Sequence, residues 1–201
     1  MVRRTAQQAA ETRHELVDAA ADVFADCGFA SASLEQIAGR AGVTRGALYH
    51  HFDDKAAVYD AVLRREADKV MGPLMAGLAG EAPPLQRLHS FLVSYCSALL
   101  HDASFRRAVH LLLFGAAGAP SQARDRTRHG YRAWLEAFTA VLVEARDSGA
   151  LREGVSPRAA AGAVIALAVG VTTTCLQAPE LCPSPQDTRS MADMLVAGLE
   201  A

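Results

Sequence analysis

The side chains best suited to chemistry lie within residues 33–55, SLEQIAGRAGVTRGALYHHFDDK, and the chemistry they suit is recognition of a polyanion. Arg45 is a long forked donor able to grip a guanine edge or a phosphate. Tyr49 and His50 follow one turn later, and Gly46 between them lets a backbone come close. The hydroxyls of Ser33 and Thr44, the helix N-termini they open and the Lys55 ammonium suit phosphate oxygens. His51 is either a further phosphate donor or a helix-end residue, and Phe52 must pack inward. His50 and His51 diverge by about 100° on a helix, which argues against a shared metal ion.

These side chains need two short helices around a tight turn. Ser33 can cap the first, with Gln36 three residues later completing a capping box. Leu34, Ile37, Ala38 and Ala41 then fall on one inward face. Gly42 sits where a helix ends in a left-handed residue, and Val43 can fold back as an apolar plug. Thr44 can cap the second helix, with Ala47 and Leu48 toward the core and Arg45, Gly46, Tyr49 and His50 outward. The pattern is a helix-turn-helix, whose second helix enters a major groove.

Beyond that generic motif, residues 12–63 resemble the N-terminal domain of the TetR/AcrR family of bacterial transcriptional repressors. The marks are Phe24-Ala25-Asp26-Cys27-Gly28-Phe29, then Ser33 with Ile37-Ala38, then the run from Gly42 through Val43, Thr44, Arg45, Gly46, Ala47, Leu48, Tyr49, His50 and His51 to Phe52, and Lys55. The resemblance implies an all-α protein with a three-helix DNA-binding domain over residues 1–54. A larger helical ligand-binding and dimerisation domain over 55–201 would follow. It implies a homodimer through the last two helices, operator DNA as partner, a small-molecule effector and no cofactor.

Composition agrees with a helical reading. Hydrophobic residues make up 51% of 201, enough for a packed core, and the formal net charge is −2. Residues 1–55 are themselves net acidic, but five of their eight acids (Glu11, Glu15, Asp18, Asp22, Asp26) belong to the first helix, expected over about 12–27. Arg3, Arg4, Arg45 and Lys55 lie on the arm, the second helix of the motif and the turn after it. The small domain is therefore polarised, and its affinity for DNA should depend on salt. Arg3 and Arg4 either reach a minor groove as an arm or form a basic tail. The polar start carries no apolar export segment, so the cytoplasm is expected. No GxSxG, HExxH or phosphate-binding glycine loop is present, which argues against an enzyme.

Cys27, Cys96, Cys175 and Cys182 lack the clustered spacing of a zinc site, so no metal is expected. Cys27 reads as core. Cys175 and Cys182 read as reduced thiols, a redox switch being the alternative. The stretch 159–176 is free of charge but rich in Ala, Gly and Thr and lacks flanking aromatic anchors. It reads as a buried helix, and in the resembled family as half of a dimer interface, with no membrane span. Met191, Met194, Leu195 and Leu199 can supply the other half.

An effector pocket is expected among the inward aromatics and methionines, namely Met71, Met75, Phe91, Tyr95, Phe105, Phe114, Trp134 and Phe138, although such residues also build ordinary core. Tyr95 and Trp134 each join a large apolar face to a polar handle. His110 and His129 either orient a polar ligand group or lie at the surface. With few charges on these faces, the effector should be mostly apolar or aromatic. The competing reading is a DNA-binding regulator switched by cysteine oxidation or by a protein partner.

Overall fold

The computed structural model describes residues 6–115, 119 and 121–201, and these are helical apart from short connections. In chain order the helices are α1 (Ala6–Ser31), α2 (Leu34–Arg40), α3 (Arg45–His51), α4 (Lys55–Glu66), α5 (Gly72–Leu78), α6 (Pro84–His101), α7 (Ala103–Phe114), α8 (Ser121–Asp147), α9 (Pro157–Gln177) and α10 (Pro185–Leu199). A π turn, Ala67–Met71, separates α4 from α5, and a 3-10 turn, Pro179–Leu181, precedes α10. Sequence reading expects one long helix kinked or ended at Gly72-Pro73. Pro73 has no N–H to continue the ladder, and the helix takes up the mismatch as a π turn just before it.

The chain packs as two compact units, residues 1–67 with 110–127, and residues 68–109 with 128–201. Packing therefore divides the chain elsewhere than after residue 54. The cause lies in the aromatic residues of α1 and α4. Within unit 1 the Tyr59 ring meets Phe24 edge-on at 4.8 Å and Phe29 at 5.1 Å. This ties α4 to the end of α1. Leu16, Ala20, Ile37, Leu48, Val58, Val62 and Leu63 complete that core, together with Leu111 from α7. Gly28 breaks α1 at φ 73°, where the chain turns so that Phe29 can point inward. Cys27, expected in the core, is exposed in consequence.

Unit 2 is built on α6. Its Phe91, Leu92, Tyr95 and Leu99 are buried, and α9 and α10 pack against it. Arg87 is also buried, donating to the Leu78 carbonyl at 2.6 Å and pairing with Glu144. Among the described residues α9 is the helix long and apolar enough to cross a membrane. Its inward stripe of Ala161, Val164, Ala168 and Thr172 is packed within unit 2.

Candidate nucleic-acid interface

The local signals of the helix-turn-helix are all realised. Ser33 Oγ accepts from the Gln36 amide at 3.2 Å, while Gln36 Oε1 accepts from the Ser33 amide at 2.8 Å. Gly42 takes φ 67°, which closes α2. The Val43 amide then donates back to the Ala38 carbonyl at 3.0 Å, and the Val43 side chain packs on the core. Thr44 Oγ1 caps α3 by accepting from the Ala47 amide at 3.2 Å. Leu48 of α3 and Phe52 just after it are buried, which fixes the helix about its axis. Arg45, Gly46, Tyr49 and His50 are left exposed on the opposite side.

Those exposed groups are organised before any partner arrives. Arg45 pairs with Glu35 of α2 at 2.7 Å, donates to the Tyr49 hydroxyl at 3.2 Å and lies 5.4 Å from the centre of the Tyr49 ring. The phenol and then the carboxylate hold the guanidinium more firmly protonated than usual. A Cβ added at Gly46 would meet only Thr44 Oγ1, at 3.9 Å. Among the described residues nothing requires glycine there. His50 is exposed and His51 half-buried, their rings 5.4 Å apart.

Lys55 departs from the sequence reading. Its ammonium donates to the carbonyls of Phe29 at 2.7 Å, Ala30 at 3.3 Å and Ala32 at 2.8 Å, and lies 4.5 Å from the Phe29 ring centre. An ammonium has three donors. All three are directed at carbonyls that close the chain after Gly28, which gives Lys55 a structural role beside the phosphate contact expected of it. Arg3 and Arg4 lie outside the described residues.

Two neighbours of these side chains carry no signal in the sequence. Glu35, the partner of Arg45, sits on a different helix, and no periodicity links them. Arg13 of α1 lies with its guanidinium 4.9 Å from the Phe52 ring centre, and shares with His51, Arg64 and the carboxylates of Asp53 and Asp60 a groove of about 300 Å³.

The expected effector residues separate. Phe91, Tyr95, Phe105, Trp134 and Phe138 form one buried aromatic cluster in unit 2. Phe91 meets Phe138 at 4.8 Å, while Tyr95 meets Phe105 at 5.4 Å and Trp134 at 6.3 Å. Tyr131, half-buried and 6.2 Å from Trp134, joins them without having been expected. Met71 is buried and Met75 half-buried, both in unit 2. Phe114 belongs to unit 1 and lies 6.1 Å from the His110 ring, so it is no member of the cluster. His110 and His129 are exposed.

Within the cluster the Tyr95 hydroxyl lies 2.7 Å from Thr172 Oγ1, which itself donates to the Ala168 carbonyl at 2.8 Å. With the single threonine proton so committed, Tyr95 is the donor to Thr172, and its oxygen keeps a free acceptor position. Burial pushes the Tyr95 phenol well above its ordinary range, so it stays protonated. A further groove in unit 2, about 630 Å³, runs past Pro84, His89, Asp193 and Val196, and His89 pairs with Asp193 there at 2.7 Å.

Residues 16–62 match the model of the bacterial regulatory proteins, tetR family. The A-factor receptor protein of Streptomyces griseus is 30% identical over 165 residues, 82% of this chain. The match spans about half of that receptor, 55% of its length. SmeT, the repressor of the Stenotrophomonas maltophilia multidrug efflux pump SmeDEF, superposes with a TM-score of 0.80 at 30% identity, covering 94% of this chain and 90% of SmeT. NalD, the secondary repressor of the MexAB-OprM multidrug efflux pump in Pseudomonas aeruginosa, gives 0.79 at 26% identity over 96% of this chain and 98% of its own. Its helix-turn-helix geometry, its all-helical fold and this whole-length likeness make the chain a member of the TetR family of bacterial regulatory proteins.

Proposed function

We propose that the chain is a cytoplasmic DNA-binding transcriptional regulator, a homodimeric repressor released from a palindromic operator by a small, mostly apolar or aromatic effector. The observation that carries this reading is α3. Its buried Leu48 fixes the helix, and Arg45, Tyr49 and His50 project from the far side around a glycine that the fold itself does not need. Arg45 suits a guanine edge, Tyr49 and His50 suit phosphates and base edges, and Ser33 and Thr44 present helix N-termini to the backbone. Arg13 and His51 extend this surface beside the end of α3.

Dimerisation through α9 and α10 is supported by what those helices leave uncovered. Ala163, Ala166 and Gly170 form an exposed stripe on α9, and Met194 of α10 is 68% exposed. Small residues let a partner helix approach closely, and two copies would set the reading helices about 34–36 Å apart. The aromatic cluster supports an effector with a flat apolar body and a hydrogen-bond donor for the Tyr95 oxygen. A solved structure similar to this chain is a SmeT–triclosan complex. Helix α7 carries Phe105 in unit 2 and Leu111 in unit 1, so one helix belongs to both units. Coupling of about 1–3 kcal/mol between the two sites would suffice for release.

The test is gel-shift binding to the gene's own upstream DNA at about 50 and 200 mM salt. Arg45→Ala and Tyr49→Ala should each weaken specific binding by about 1–3 kcal/mol while leaving thermal stability within about 0.5 kcal/mol. Glu35→Gln should strengthen it modestly at the lower salt, because Arg45 is freed and a carboxylate near the phosphates is neutralised. Binding indifferent to Arg45 and Tyr49 would sink the proposed reading face.

A further inference from the structure

Cys175 and Cys182, expected as separate thiols, are joined in a disulfide with their Cα atoms 4.5 Å apart. The bond fastens the end of α9 to the stretch between its 3-10 turn and α10. That end of α9 is weak by its own chemistry. Thr172, Thr173 and Thr174 are consecutive β-branched residues, each donating its hydroxyl to the carbonyl four residues earlier at 2.8, 2.8 and 3.0 Å. Such residues have low helix propensity, and such back-bonds bend a helix. The last turn carries no basic side chain, and the capping residue is Ala178, at φ −138°.

The crosslink sits where this weakness bears on the aromatic cluster. Ala168, Thr172 and Cys175 follow one another at helical spacing on the inward side of α9, away from the exposed Ala163–Ala166–Gly170 stripe. Cys175 is therefore one turn beyond the threonine that anchors Tyr95. Both bridged cysteines are half-buried, within reach of a small reagent. Cys96 is enclosed, and burial pushes its thiol up to about 11, which leaves little thiolate to compete.

We propose that Cys175 and Cys182 are a reversible oxidative modification site, a latch closed by hydroperoxides and opened by low-molecular-weight thiols, which stiffens the end of α9 and so the Tyr95 anchor. In closing, one cysteine thiolate attacks a peroxide oxygen. The O–O bond breaks, and a sulfenic acid and water result. The second thiolate attacks that sulfur, the S–S bond forms and hydroxide leaves to be protonated. Two thiols and one hydrogen peroxide become one disulfide and two waters, the sulfurs giving up the two electrons that the peroxide gains. In opening, two external thiols take the disulfide back to two cysteines and leave as their own disulfide. A cytosolic disulfide is more often a sensor of this kind than a permanent brace.

The latch rests on the transcriptional reading only for its consequence, and the experiment keeps the two apart. The full chain is reduced with millimolar dithiothreitol in native buffer, treated with one equivalent of hydrogen peroxide, and mapped by differential alkylation and mass spectrometry. The 175–182 crosslink should open without denaturant and re-form before Cys27 or Cys96 is oxidised. Amide exchange over residues 173–184 should slow about tenfold on closing, and should not respond to peroxide in the Cys175→Ser/Cys182→Ser variant. Failure of peroxide to restore the crosslink, opening only in denaturant, or equal exchange in both states would each overturn the latch. Operator affinity that shifts at least about threefold between redox states, in the parent alone, would carry the latch into regulation, and equal affinity would remove that role. Absence of operator binding in either state would count against the transcriptional reading and leave the latch standing on its exchange data.

Discussion

In unit 1 the side chains proposed to meet DNA stand outside the core that positions them. In unit 2 the side chains proposed to meet an effector are themselves core. Arg45 and Tyr49 are exposed and could be exchanged without opening a cavity, whereas Tyr95 and Phe138 are 0% exposed and each holds other rings in place. Recognition of DNA and stability of the head are thus separable by mutation. For the aromatic cluster they are not, because any ligand admitted there must replace contacts the protein already makes with itself. This suits an effector site that couples to the rest of the fold, since a rearranged core is a discrete alternative packing.

The largest effect expected from this contrast is in unit 2. Phe138→Ala removes a fully buried ring stacked edge-on against Phe91 and should cost about 3–5 kcal/mol of stability by denaturant titration. A cost below about 1 kcal/mol would mean that the cluster is loosely packed and already behaves as a cavity, which would dissolve the comparison.

Lys55 sharpens the comparison from the other side, because it lies on the DNA-binding unit and yet belongs with the structural residues. Lys55→Met keeps the aliphatic stem and removes three charge-assisted bonds to the Phe29, Ala30 and Ala32 carbonyls. A stability loss of about 1.5–3 kcal/mol is expected, with the salt dependence of operator binding little changed. Unchanged stability with a shallower salt slope would return Lys55 to the phosphate contacts.

How legible each region was in the sequence follows from how local its determinants are. The capping box of Ser33 and Gln36, the left-handed Gly42 and the cap at Thr44 involve partners within five residues, so spacing alone identifies them. The structural bonds of Lys55 are not legible because its acceptors are main-chain carbonyls more than twenty residues away, and a carbonyl has no sequence signature. The aromatic cluster was legible as a set, but core and pocket draw on the same residue types, and hydrophobic period could not tell that Phe114 falls in the other unit. The π turn before Pro73 was visible only as a break. Cys175 and Cys182 have a spacing that suits two thiols as well as one disulfide. What decides is the short turn at Pro179–Leu181, which brings their backbones together.

The smallest effect tests whether unit 1 is as free of functional compromise as its separable surface suggests. The Tyr59 hydroxyl is buried and has no hydrogen-bond partner among the described residues, and a Cβ added at Gly115 would lie 2.5 Å from it. Tyr59→Phe keeps the edge-on ring contacts with Phe24 and Phe29 and removes an unsatisfied polar atom. Stability should therefore rise by about 1 kcal/mol at neutral pH. The pH dependence gives a second reading of the same atom. Burial pushes the Tyr59 phenol from 10.0 up to about 12 in the folded chain. Below pH 10 it is neutral in both states. Between 10 and 12 only the unfolded chain releases its proton, so stability falls as pH rises through that window. The Phe variant should lack that part of the alkaline loss, and the gap between the two proteins should widen from neutral pH to pH 12. A variant less stable than the parent at neutral pH would mean that the hydroxyl has a partner beyond the described residues, and that the head holds a polar link there.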